Sequence, residues 1–210
     1  YFYFVRVYFM DQLILNISPP EKKTFDNYVF GKNAEIVATL KDFDSKNCGF
    51  QIIYLWGVEG SGKSHLLNAL KNPLIEKIED LQDMDTQEHT KLFNLINEIK
   101  SNDKKIIITG NQSPDEIKNM REDLLSRLKW GLVLHIKPLS DEDKFKVITN
   151  QSQERGFYIE EKVIQYCLRH LRRDLHTLIN TLHALDEWSL KTKRPITINL
   201  LKELLNKKII

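Results

Sequence analysis

The fold class to expect is α/β: a P-loop core with a parallel β-sheet flanked by helices, followed by a small C-terminal helical domain. Three observations predict it. Short apolar runs, "QIIYLWG" (51–57), "KKIIITGN" (104–111) and "GLVLHIKP" (131–138), read as buried strands and alternate with stretches of helical periodicity. The first run passes straight into "GVEGSGKSHLL" (57–67), a glycine-rich turn with the spacing of a phosphate-binding loop. After Pro138 the apolar runs cease and the pattern turns helical.

Each element has a local reason. In "QIIYLWG", β-branched and aromatic residues favour an extended backbone, and Gly57 releases it into the turn. From Lys63, Leu66, Leu67 and Leu70 recur at helical spacing, and Pro73 is expected to end that helix. In "DTQEHTKLFNLINEIKSN", Leu92, Phe93, Ile96 and Ile99 mark one helix face. "LIEKIEDLQ" is ambiguous: Glu76 and Lys77 interrupt what a central strand should keep apolar, so it reads as a strand ending in Glu79 and Asp80, or as a charged helix or edge strand. Beyond residue 139, Ser140 with Asp143 has a capping-box pattern and Gly156 a stop signal. Three further helical stretches follow, "IEEKVIQYCLRHL", "RDLHTLINTLHALDEWSLK" and "NLLKELLNKK".

Composition narrows the function classes. The 210 residues, 41% hydrophobic, suffice for a substantial core. A net charge of +2 falls short of a dedicated nucleic-acid binder, and Arg169, Arg172 and Arg173 read as a solvated helix face when taken alone. Cys48 and Cys167 match no redox or metal spacing, which fits free thiols in a reducing cytoplasm. The opening "YFYFVRVYFM" is too short to span a bilayer and lacks the marks of a signal peptide, so neither export nor a membrane partner is expected. Met10 directly precedes "DQLILNI", and residues 1–9 either belong to the natural chain or extend its reading frame upstream.

The chemistry centres on Gly57, Gly60, Ser61, Gly62, Lys63, Ser64 and His65. Glycines let backbone N–H groups turn inward around phosphate oxygens, and the helix N-terminus adds partial positive charge. Lys63 reaches β- and γ-phosphates, and the Ser64 hydroxyl suits Mg²⁺. A nucleotide with Mg²⁺ is therefore the expected ligand. Turnover further requires carboxylates, for which Glu79 and Asp80 are candidates, with Asp80 the second metal contact beside Ser64. Asn111, at the tip of a neighbouring strand, suits contact with a γ-phosphate or its attacking water, and alone reads as a turn residue. Arg127 suits stabilisation of transition-state charge across a subunit boundary, and Arg173 contact with phosphates from the helical domain. Either arginine taken singly is also an ordinary surface cation. His65, His89, His135, His170, His176 and His183 form no metal spacing and are assigned no catalysis.

The order of blocks resembles the DnaA-related AAA+ family, in its Hda-like regulatory branch, over nearly the whole chain from Gln12. "TFDNYVFGKN", "YLWGVEGSGKSHLL", "IIITGNQSP", "DLLSRLKWG", "PLSDEDK" and "RGFYIEEKV" look like successive family segments. The resemblance implies an AAA+ core over 24–139 and a helical lid over 140–210, with adenine nucleotide, ADP or ATP, as the bound ligand. It also implies Glu79 and Asp80 at the Walker B position, Asn111 near sensor 1, Arg173 at sensor 2, and Arg127 as an arginine finger acting in trans on initiator-bound ATP. "QLILNI" resembles a motif for docking onto the DNA polymerase III sliding clamp (its β subunit), with Gln12, Leu13 and Leu15 as the best matches, on a tail covering 1–23. As an extended segment of alternating apolar side chains it suits a surface groove, or an edge strand of the domain itself.

The implied role is a cytoplasmic regulator, nucleoid-associated through the clamp, that prevents re-initiation. Its partners would be the clamp and a DnaA-type initiator, with DNA met only indirectly and a homo-oligomer possible. Two departures bear on this. Only His65 to Ile78 separates the phosphate loop from the Walker B acids, where the family fold has a further helix and strand; a four-stranded sheet with a less enclosed site and weak turnover of its own is expected. Glu79 also stands where the first aspartate is usual. A stand-alone AAA+ ATPase or loader, and a clamp-binding adaptor with a degenerate nucleotide site, are the alternatives.

Overall fold

A computed structural model describes residues 23–45, 48–102, 104–118, 120–171 and 174–206. Helix α1 (Ala34–Asp44) leads into β1 (Ile52–Trp56), the phosphate loop and α2 (Lys63–Ala69). Then come β2 (Ile75–Ile78), a short 3₁₀ turn (Leu81–Asp83), α3 (Thr86–Ser101), β3 (Lys105–Gly110), α4 (Glu122–Leu128) and β4 (Leu132–His135). Four helices complete the described chain: α5 (Asp141–Glu154), α6 (Glu161–His170), α7 (Leu175–Thr192) and α8 (Ile198–Asn206).

The strands form one parallel sheet of four in the order β2-β3-β1-β4. Burial explains the order. β1 and β3 have apolar centres and occupy the middle of the sheet, with Ile53, Tyr54, Leu55, Ile106, Ile107 and Ile108 wholly buried. β2 carries Glu76 and Lys77 and takes one edge; β4 takes the other, with Val133 and His135 turned outward. "LIEKIEDLQ" is thus an edge strand, and the sheet has the four strands expected of the shortened segment.

Helices cover both faces. α1 and α2 pack Val37, Leu40, Phe43, Leu66 and Leu67 against Ile53, Leu55 and Ile107. α3 and α4 pack Leu92, Ile96, Ile99, Leu124 and Leu128 against Tyr54, Ile106 and Ile108. Helices α5 to α8 bury a separate core that includes Ile148, Val163, Cys167, Leu178, Leu182 and Leu201. Apolar side chains within this third cluster bury against one another, so the helical region has its own hydrophobic stabilisation.

Two termini differ from expectation in an informative way. α2 stops at Ala69, short of Pro73, because Asp44 at the end of α1 accepts hydrogen bonds from the Lys71 and Asn72 N–H groups, both at 2.8 Å. The full capping box lies at α3: Asp85 accepts from the Gln87 and Glu88 N–H groups while Glu88 accepts from Asp85 N–H. At α5, Ser140 Oγ accepts from Asp143 N–H at 3.1 Å and donates to the Asp143 carboxylate at 2.8 Å.

Candidate nucleotide site

The phosphate loop leaves the end of β1 tied to its neighbours, with Gly57 N–H donating to Gly110 O at 3.2 Å and Ile136 N–H donating to Trp56 O at 2.8 Å. Gly62 caps α2 at φ +97, where a Cβ would also press on the Tyr28 ring. The turn that results points the first N–H groups of α2 into an open cavity of about 590 Å³. Core and lid line this cavity together.

Lys63 is almost fully buried and donates to Gly57 O at 2.7 Å and Val58 O at 3.1 Å. Burial lowers its pKa from the ordinary lysine value, while the nearby carboxylates of Asp80 and Glu59 act in the opposite sense. Ser61 Oγ is buried without a hydrogen-bond partner among the described residues. The desolvated ammonium is held by neutral carbonyls with no ion-pair partner among the described residues, and the Ser61 hydroxyl is orphaned; a polyphosphate supplies charge to the one and an acceptor to the other.

Gly60, Ser61, Gly62, Lys63, Ser64, His65, Asp80 and Asn111 all line the cavity. Asp80 follows β2 and adopts φ +52; its N–H donates to Thr109 Oγ1 at 3.0 Å, which fixes this left-handed turn against the central strand β3. Asn111 follows β3, its N–H donating to Gln82 Oε1 at 3.2 Å. Ser64 and Asp80 could meet Mg²⁺ only alongside ligand oxygens, since no cluster of three or more His, Cys, Asp or Glu side chains suits a metal among the described residues.

Two nominated residues stand apart. Gly57 lies behind the loop, where a Cβ would meet Ile136 O at 2.6 Å. Glu79 is exposed and absent from the lining, so of the acidic pair only Asp80 faces the cavity.

Arg127 also lies elsewhere. It projects from α4 onto the α3 surface, where Nε donates to Asn97 Oδ1 at 2.9 Å, Nη1 donates to Asp123 O at 3.2 Å, and the guanidinium lies 3.7 Å from the Phe93 ring centre. Arg173 and the docking motif Gln12, Leu13 and Leu15 fall outside the described residues.

The structure adds cavity residues outside the phosphate-loop motif, the first of them within the "TFDNYVFGKN" block. Asn27, Tyr28 and Val29 form a wall from the segment ahead of α1; the Tyr28 phenol is pushed up to about 12 by burial. His65 is held by Thr24 O at 2.9 Å from its Nε2 and by a tilted contact with Tyr28, and burial lowers its pKa. Opposite, α5 contributes Val147, Asn150, Gln151 and Glu154, and α7 contributes Leu175 and Ile179. The α5 residues recur at the spacing of one helix face, a signal present in the sequence.

Comparison with known proteins decides the lineage. The "Hda, lid domain" model matches residues 141–205, and the "Bacterial DnaA ATPAse domain" model matches 74–135. The chain belongs to the DnaA-related AAA+ proteins. Domain III of the Thermotoga maritima replication initiation protein DnaA superposes with a TM-score of 0.80 at 19% identity, over 89% of this chain and 96% of that one. AMPPCP-bound DnaA from Aquifex aeolicus gives 0.67 at 19%, covering 79% of this chain and 65% of that one. Thermotoga maritima RuvB, a Holliday junction branch migration motor, gives 0.65 at 12%, over 88% and 71%. These likenesses establish the fold: a parallel AAA+ core with a helical lid at its C-terminal side. Among the described residues, no helix is long and apolar enough to cross a membrane.

Proposed function

We propose that this DnaA-related AAA+ protein is a negative regulator of chromosomal replication initiation. Tethered to the DNA polymerase III sliding clamp through Gln12, Leu13 and Leu15, it holds ADP or ATP with Mg²⁺ and presents Arg127 to ATP bound by a DnaA-type initiator. Hydrolysis of that ATP leaves the initiator unable to fire again. The reading places the protein in the cytoplasm, near the nucleoid through the clamp, with DNA contacted only indirectly.

The observation that carries this reading is the position of Arg127. It lies outside the lining of the chain's own cavity, yet two hydrogen bonds and an aromatic ring hold its guanidinium in place. A surface arginine usually keeps its rotamer freedom, and one ordered in advance suits charge stabilisation at a nucleotide on another molecule. Lys63, Ser61, Ser64 and Asp80 would hold the chain's own nucleotide, which in this reading sets the relation of core to lid. The test is initiator-ATP hydrolysis measured with and without DNA-loaded clamp. Stimulation that requires the clamp supports the proposal, and equal rates with and without the protein refute it.

One observation favours a second reading. Lys63, Asp80 and Asn111 face one cavity, as a stand-alone ATPase would require. Steady-state phosphate release by the purified chain, abolished by Asp80→Ala, would establish that reading; tight nucleotide retention with negligible turnover would support the regulator.

A further inference from the structure

Glu154 is a carboxylate lining a cavity whose other features suit an anion. It stands in the last turn of α5, on the lid side, and among the described residues it makes no hydrogen bond or ion pair. Its charge acts on the His65 imidazole, which follows Ser64 in the first turn of α2 on the core side. Lys23, Thr24 and Tyr28 surround the same imidazole. Glu154 therefore faces the core where the phosphate loop gives way to the segment ahead of α1.

That location restricts what the carboxylate can meet. Phosphates belong at the Lys63 end, where the buried ammonium is met only by neutral carbonyls and the Ser61 hydroxyl is buried without a partner among the described residues. An ionised carboxylate only accepts hydrogen bonds, and it repels phosphate. A nucleotide does carry donors beyond its α-phosphate, the ribose hydroxyls, and a carboxylate near the far end of a phosphate loop can take them, as dinucleotide-binding folds do with an acidic residue.

Resting on the nucleotide-binding reading above, we infer that Glu154 accepts a hydrogen bond from the ribose 2′-hydroxyl of the bound nucleotide, making the lid a sensor for a ribonucleotide. The carboxylate belongs to the lid and the phosphate cradle to the core. A ligand that satisfies both draws them together, whereas a deoxyribonucleotide satisfies the core more completely than the lid. The neighbouring Asn150 and Gln151 also carry accepting amide oxygens, weaker than a charged carboxylate, so variants of Glu154 measure this side chain's own share of the discrimination.

The experiment is calorimetric titration of the full chain with ADP and with 2′-deoxy-ADP, repeated on Glu154→Ala and Glu154→Gln. The wild type should bind ADP about tenfold tighter than 2′-deoxy-ADP. Glu154→Ala should weaken ADP about tenfold while leaving 2′-deoxy-ADP unchanged or slightly tighter, and Glu154→Gln should fall between. Equal affinities for the two ligands in the wild type, or a change in Glu154→Ala that is the same for both, would overturn the inference. Failure of the wild type to bind either ligand would instead remove the nucleotide-binding reading on which it rests.

Discussion

Lys63 shows how one side chain joins fold to chemistry. Its ammonium holds two carbonyls at the end of β1 and is short of solvent, so its removal costs both a hydrogen-bonded tie and the principal positive charge of the phosphate end. Lys63→Ala should weaken nucleotide binding on the order of a hundredfold in equilibrium titration, with a smaller loss of thermal stability. His65 and His183 give a pH dependence. Burial lowers the pKa of both below the ordinary 6.5, so the unfolded chain takes up protons before the folded one. Their contribution to stability is complete above about pH 6.5 and is lost progressively as pH falls below it. Urea unfolding at pH 7.5 and 5.5 should show lower stability at the acid end, and His65→Gln should reduce that difference. The acidic pair shows where reading by residue stops. Glu79 and Asp80 are equivalent in sequence, and only the left-handed turn at Asp80, tied to Thr109 on another strand, turns one of them to the cavity and leaves the other in solvent.

At the level of elements, signals contained within a few residues were legible and those depending on distant partners were not. Strand β1, the loop and α2 follow from local rules: β-branched runs extend, glycines turn, and leucines at helical spacing bury one face. The stop of α2 does not, since Asp44 is far from Lys71 in sequence and competes with Pro73 as the terminator. The lid's part of the cavity was hidden for a related reason. Val147, Asn150, Gln151 and Glu154 share one face of α5, but a polar helix face reads as solvent-facing until the core is seen opposite. The capping box at Asp85 was legible in principle from its Asp-x-x-Glu spacing. Asp85→Ala should cost about 1 kcal/mol of stability, measured as a lower urea midpoint with an unchanged slope.

For the molecule as a whole, the sheet with its two packed faces and the packed lid meet at one cavity, and a phosphate loop is combined with a sheet of four strands. The resulting arrangement separates two capacities. Asp80, Lys63 and Asn111 gather around the chain's own cavity, whereas Arg127 is fixed on the α3–α4 surface. The central claim is that this arginine serves another protein's ATP. Its most direct test is initiator-ATP hydrolysis in the presence of DNA-loaded clamp, comparing wild type with Arg127→Ala after both have been shown to bind ADP equally. The account predicts that Arg127→Ala loses about a thousandfold in stimulation while keeping its own nucleotide; full stimulation by Arg127→Ala would contradict it.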